Sequence, residues 1–321
     1  MKRKVNRVGK NTLTVSLPSK WAEKYGVKSG DEIEVIESGS SITLSTKEIH
    51  TKVKEVKLNI DGFDLLMLTR HLNEFYRRGV ERIIVTFSKE TILYHKYHKE
   101  ISVSKKIKDL SERFVGLEII SQSSNQIVLE SLMSKEEPEK LDVVLNRVYF
   151  LIKEFFHEFI LAMDGDFKKF HEQSYDYHDN ITKFSSYYLR LLNVSDLSED
   201  KKVKLFGLFV MIDTVIDKVR HASEQVNKIS KITPKLKKYL KEIYDLFLEQ
   251  FDMLLKKKYS LEELSDFVRR RYLLVEKVNN EKFTESEYKA IGETKILLDT
   301  INEFTEAYLS LHMDKYLGDN K

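Results

Sequence analysis

The sequence predicts a multidomain, mainly α chain: a small amino-terminal β module, a small α/β middle domain and a body of six helices in tandem three-helix bundles. Three observations carry this. Between residues 141 and 311, apolar side chains recur at spacings of three and four in six long stretches. Before residue 133 the pattern is shorter and alternates with the two-residue period of strands. Only three prolines interrupt 321 residues, and 41% of them are hydrophobic, enough to build real cores.

The module occupies residues 1–48. It opens on a basic strand, and alternating runs at Thr12–Leu17 and Glu32–Ile36 flank a short helix beginning at Pro18. Proline suits a first helical position, where its missing N–H would be unpaired anyway. Gly26 stops that helix and Gly30-Asp31 turns the chain into the next strand. Residues 1–30 hold Lys2, Arg3, Lys4, Arg7, Lys10, Lys20, Lys24 and Lys28 against Glu23 alone, a net of +7, while the whole chain is only +3. Such local charge is the footprint of a phosphate-backbone binder. So short a segment buries little core alone, so a partner copy is required.

Residues 50–133 mix strands and helices. Val53–Ile60 and Arg82–Phe87 alternate as strands, Leu65–Arg77 and Ser104–Phe114 read as helices, and Leu117–Ser121 with Gln126–Leu132 form a hairpin around Ser123-Ser124-Asn125. The β-α-β-α-β-β order suggests an α/β sandwich of ferredoxin-like type. His71, His95 and His98 are scattered without metal-ligand spacing. The proline-containing charged run Ser134–Lys140 marks the next boundary.

The helices predicted beyond it are Leu141–Met163, Phe167–Leu192, Lys201–Ile229, Pro234–Leu255, Leu261–Lys277 and Glu285–Leu311, in repeats of about 138–230 and 233–321. Three acidic faces stand out. Asp213, Asp217 and Glu224 lie within about 40° of one another at 100° per residue. Asp299, Glu303 and Glu306 repeat the arrangement on the sixth helix, and Glu172, Asp176 and Asp179 form a comparable face on the second. The strings IDTVID at Ile212–Asp217 and LDTINE at Leu298–Glu303 align directly. Carboxylates four residues apart repel unless neutralised. A hard cation does this, and so does a solvated face beside Lys218, Arg220 or Lys295; the residues alone leave both open.

Several classes are excluded. Without cysteine there are no disulfides or thiolate metal sites. No stretch reads as a membrane span, and no leading apolar segment resembles a signal peptide, so a cytoplasmic protein is expected. His178-Asp179 is an adjacent His-Asp pair, but His157 and His171 stand at no spacing that completes a phosphohydrolase site. Glycine-rich phosphate loops and nucleophile elbows are missing from the sequence, so no enzymatic activity is expected.

Two resemblances follow. Arg3-Lys4-Val5, Val8-Gly9-Lys10, Thr12 to Thr14, the Ser16-Leu17-Pro18 corner with Trp21, and Gly30-Asp31 resemble the AbrB/SpoVT family. The resemblance implies a swapped-hairpin homodimer that lays Arg3, Lys4, Arg7, Lys10 and Lys20 against double-stranded DNA. The helical half resembles the PhoU family of phosphate-signalling proteins, built from two tandem three-helix repeats. That resemblance implies divalent or ferric metal ions held by Asp213 and Asp217, by Asp299 and Glu303, and by Glu172 and Asp176 on a facing helix. The family's Arg between the acids is Thr214 here, its Gly-Asp step is Ile216-Asp217, and the second repeat ends in Glu303. The two modules together resemble archaeal phosphate regulators. The function implied is a DNA-binding transcriptional regulator of phosphate uptake, with a phosphate transporter ATP-binding subunit or a sensor protein as further partners. Two alternatives are an adaptor acting on that transporter subunit and an antitoxin-like or architectural DNA binder without ligand.

Overall fold

The computed structural model describes residues 2–38, 41–46, 55–133, 138–195, 197–256 and 260–312. It divides into two compact units, Met1–Lys52 and Val53–Lys321. The expected module boundary at residue 48, the first residues of the strand expected from Val53, and residues 134–137 of the charged run lie outside the described residues.

In the first unit, β1 (Val5–Val8) pairs antiparallel with β2 (Thr12–Val15), from Val5↔Val15 to Val8↔Thr12. Helix α1 (Ser19–Tyr25) follows, and β3 (Glu34–Ser38) pairs antiparallel with β4 (Ser41–Ser45). Pro18 is extended just ahead of α1, and its carbonyl accepts from the Trp21 and Ala22 N–H groups at 3.0 and 2.9 Å. Gly26 sits at φ +70°, which lets the Val27 N–H close back onto the Ala22 carbonyl at 2.9 Å and ends the helix. The sequence reading named no strand at β4, although Ile42 and Leu44 alternate there with Ser41, Thr43 and Ser45.

The second unit begins with β5 (Glu55–Asn59), α2 (Leu65–Arg77) and β6 (Arg82–Thr86). A hairpin of β7 (Thr91–Tyr94) and β8 (Lys99–Ser102) leads into α3 (Val103–Ser111), followed by β9 (Leu117–Gln122) and β10 (Gln126–Ser131). The main sheet runs β5-β6-β10-β9, with β5 parallel to β6 and the other pairs antiparallel. This corrects the ferredoxin-like expectation. A ferredoxin-like sheet splits its βαβ units with an intervening strand, whereas β5 and β6 are direct neighbours across α2. Asp64 caps α2 by accepting the Met67 N–H at 2.8 Å, and Ser102 caps α3 from the Lys105 N–H at 3.1 Å. Leu58, Leu68, Leu72, Ile83, Val85, Ile107, Leu110, Ile127 and Leu129 close the core between helices and sheet.

The six long helices are α4 (Leu141–Ala162), α5 (Phe167–Val194), α6 (Glu199–Val226), α7 (Pro234–Lys256), α8 (Leu261–Asn280) and α9 (Glu285–Leu311). Their bounds follow the apolar periodicity closely. The triples α4–α6 and α7–α9 share one continuous core: α6 packs along α9 and α4 along α7, where Phe156 stacks on Tyr244 at 4.4 Å. Ser260 and Thr284 open α8 and α9 with capping boxes to Glu263 and Glu287.

The α/β layer and the helical body meet where α2 lies against α5. Arg190 of α5 is fully buried there. Its guanidinium donates to the Tyr76 and Val80 carbonyls, both at 3.0 Å, and lies 4.9 Å over the Tyr76 ring. Asn193 donates to the Arg77 carbonyl at 2.6 Å. Carbonyls at a helix C-terminus lack intrahelical partners and carry negative partial charge, so an arginine satisfies both needs.

Candidate functional site

The amino-terminal hairpin carries most of the sequence-predicted cations. Opposed residues in an antiparallel ladder share a face. The register therefore puts Val5, Arg7, Leu13 and Val15 on one face and Asn6, Val8, Thr12 and Thr14 on the other. Lys10 sits in the turn beside Gly9, which adopts φ +71°. Arg3 and Lys4 precede β1, and Lys20 occupies the first turn of α1. All five are exposed, as cations that meet a polyanion must be. They come from three places in the module, and Arg7 stands among apolar neighbours rather than in a purely basic row. Lys24 shares a helix face with Lys20, its ammonium 5.2 Å from the Tyr25 ring.

The apolar side chains of this unit are equally exposed. Val5 is 64% exposed, Leu13 65% and Ile42 67%, and no described side chain of residues 2–46 is buried. Apolar residues alternating along short strands with nothing covering them form half of a core.

The acidic faces are dispersed differently. His178 of α5 bridges two carboxylates, with Nδ1 3.0 Å from Asp179 and Nε2 3.0 Å from Asp217 of α6. Asp179 also meets the Arg113 guanidinium at 2.6 Å. Asp213 lies 3.7 Å from the Arg77 guanidinium and 3.5 Å from the Thr182 hydroxyl. Arg220 pairs with Glu224 at 3.0 Å, lies 4.8 Å over the Tyr175 ring and donates to its hydroxyl at 3.1 Å, and stands 3.8 Å from Asp217. Burial opposes charge on His178, but the hydrogen bonds and charges of Asp179 and Asp217 outweigh it and push its pKa up to about 9. Burial tends to raise Asp217, yet the His178 hydrogen bond and charge, helped by Arg220, hold it below the usual carboxylate range. For Asp213, burial and the neighbouring Asp217 charge prevail over Arg77, and its pKa is raised.

The structure thus brings Asp213 and Asp217 together with Asp179, while Glu172 and Asp176 stay exposed on α5. Asp299 is exposed on α9 and pairs with Arg271 at 3.1 Å; Glu303 is exposed one turn on. Among the described residues, no three His, Asp or Glu side chains converge as a metal site. Around these two carboxylates stand Arg77, 3.7 Å from Asp213, and Arg220 and His178, 3.8 and 3.0 Å from Asp217. Sequence reading had noted His178-Asp179 as a pair. It missed Arg77 and Arg113, which reach this cluster from the α/β layer and leave no local signal. A groove of about 560 Å³ between α4 and α7, lined by Phe150, Phe156, Ile160, Tyr244 and Leu248, contains none of the expected ligands. Among the described residues, no helix is long and apolar enough to cross a membrane.

Residues 7–53 match the family model described as "Antidote-toxin recognition MazE, bacterial antitoxin". The match falls on the amino-terminal unit, which is a MazE/AbrB-like domain of the kind the sequence resemblance indicated. Comparison with curated proteins and with solved structures finds no match.

Proposed function

We propose that this chain is a homodimeric, cytoplasmic DNA-binding regulator. Two amino-terminal modules pair through their apolar faces, where Arg7 stands opposite Leu13, and hold a duplex with Arg3, Lys4, Lys10 and Lys20, while the unit from Val53 onward carries the regulatory input. The observation that carries this reading is the amino-terminal unit itself, with no buried side chain among its described residues, a net charge of +7 over residues 1–30, and a match to a MazE-type model. Apolar strands without a core call for a second copy, and clustered exposed cations call for a polyanion.

The finer reading is that the helical unit senses phosphate status. Its support is the resemblance of that half to PhoU proteins and the recurrence of IDTVID and LDTINE on α6 and α9, the third helices of the two triples, which pack along each other. No step of this reading runs through a bound metal. Coupling would require two dimer arrangements whose DNA affinities differ by a ligand-dependent free energy of about 1–3 kcal/mol.

The test is binding of the full chain to promoter DNA of phosphate-transport genes and to random DNA across salt concentrations, with phosphate titrated in. The reading expects a preference of ~10³-fold or more near physiological salt, and an affinity that moves with phosphate. Equal, weak binding to both DNAs would overturn it. The description of the matching family favours a second, antitoxin-like reading. That one expects full operator binding that ignores phosphate and chelators.

A further inference from the structure

The β7–β8 hairpin gives Ile92 and Ile101 to the core of the α/β layer, and its tip gives nothing. Its base is fixed: Ile92 is buried, the Val103 N–H donates to the Glu90 carbonyl at 2.9 Å, and the Thr91 hydroxyl donates to Glu100 at 2.7 Å. The last ladder pair is Tyr94↔Lys99, and beyond it His95, Lys96, Tyr97 and His98 form an exposed tip. Tyr97 is 55% exposed, and the Lys96 and Lys99 ammonium groups lie 5.4 and 5.5 Å from its ring centroid. Tyr94 meets the same ring edge-on at 5.0 Å. Among the described residues, His98 is the one non-glycine at positive φ, +48°, and its N–H donates to the His95 carbonyl at 3.2 Å. A side chain kept where glycine would be easier suggests a tip whose residues are retained for contact rather than for turning.

The charge around the tip is also local. Residues 95–108 hold Lys96, Lys99, Lys105, Lys106 and Lys108 against Glu100 alone, a net of +4 in a chain of +3. Next to residues 1–30 this is a second basic concentration, carried by the other unit.

We infer that the β7–β8 tip is a second duplex-DNA contact, in which Lys96 and Lys99 bind backbone phosphates and Tyr97 packs against the sugar–phosphate edge. This deepens the DNA-binding reading and rests on it. A two-stranded ribbon is narrow enough for the major groove. Two flexible ammonium groups flanking an aromatic plane suit a phosphate backbone, where lysine acts as a point charge. Lysine is depleted at protein interface cores, so Lys96 and Lys99 on either side of Tyr97 favour a polyanion over a protein partner.

The experiment measures binding of the full chain to one duplex at several salt concentrations, for the wild type, Lys96→Ala with Lys99→Ala, Tyr97→Ala, and Lys96→Arg with Lys99→Arg. Loss of two phosphate contacts per chain, four in the dimer, should make the slope of log K against log salt shallower by about four units. At ~0.2 M salt the alanine pair should bind about 100-fold more weakly, and the arginine pair should retain the wild-type slope. Since every altered side chain is exposed, the thermal midpoint should not move, which separates a lost contact from a lost fold. An unchanged slope and affinity in the alanine pair would overturn the inference. So would an effect confined to single-stranded RNA. Arg3→Ala with Lys10→Ala separates the two readings: if it weakens binding and the tip variants do not, only the tip inference falls. If the wild type binds no duplex, both fall.

Discussion

The two units solve the same problem, where to put apolar and charged side chains, in opposite ways. From Val53 onward, apolar residues close into two cores and the α5–α6 carboxylates meet cations of the same chain, as Asp217 meets His178 and Asp179 meets Arg113. Among residues 2–46, neither happens. Val5, Leu13 and Ile42 are more exposed than covered, and the basic residues face outward with Glu23 as the one acid among the first thirty. A self-sufficient body and an unfinished module imply different partners: the first needs none to fold, the second needs a copy of itself and a polyanion.

The substitution that should break this comparison most severely is Leu13→Asp. On a finished monomer surface it would cost little, about 0.5 kcal/mol. At the centre of a paired module it buries a charge, and the expected outcome is a monomer by light scattering together with loss of duplex binding of ~100-fold or more. Next is Arg190→Leu, which removes the guanidinium donor from the Val80 carbonyl and leaves the Tyr76 carbonyl with the Gly79 N–H, and should destabilise the second unit by roughly 2–4 kcal/mol in urea titration. The DNA-binding module should be unaffected.

His178 gives the comparison a pH dependence. Its pKa in the folded chain, about 9, lies above the ordinary 6.5. Protonated His178 therefore stabilises the fold fully below pH 6.5, and that contribution is lost as pH rises through 9. The loss should be on the order of 2–3 kcal/mol between pH 6.5 and 10. His178→Gln should flatten the curve of urea midpoint against pH over that range. The smallest effect belongs to the exposed pair of Arg271 and Asp299: Asp299→Asn should change stability by less than about 1 kcal/mol. A chelator should leave the thermal midpoint unchanged, since Asp217 is held by His178 and Arg220 and Asp213 faces Arg77.

Legibility in the sequence followed periodicity. The spans of α4 to α9 could be read because each buries a wide apolar stripe, and α9 begins and ends at the expected residues, Glu285 and Leu311. The β7–β8 hairpin was invisible because its turn uses His98 at positive φ in place of glycine or asparagine. Arg190 carries no signal in the sequence, since its acceptors are the backbone carbonyls of Tyr76 on α2 and Val80 just beyond it. The acidic stripes were correctly placed on helix faces. Their neutralisers, Arg77 and Arg113, come from α2 and the end of α3, and only the packing of the α/β layer on α5 and α6 decides that meeting.

The most direct test of the account is the stoichiometry of the full chain on a short duplex, measured by sedimentation across salt concentrations. The account predicts two chains per duplex, with log K falling against log salt at a slope steeper than about −4, as several phosphate contacts per module require. A single chain bound per duplex, or an affinity indifferent to salt, would contradict it.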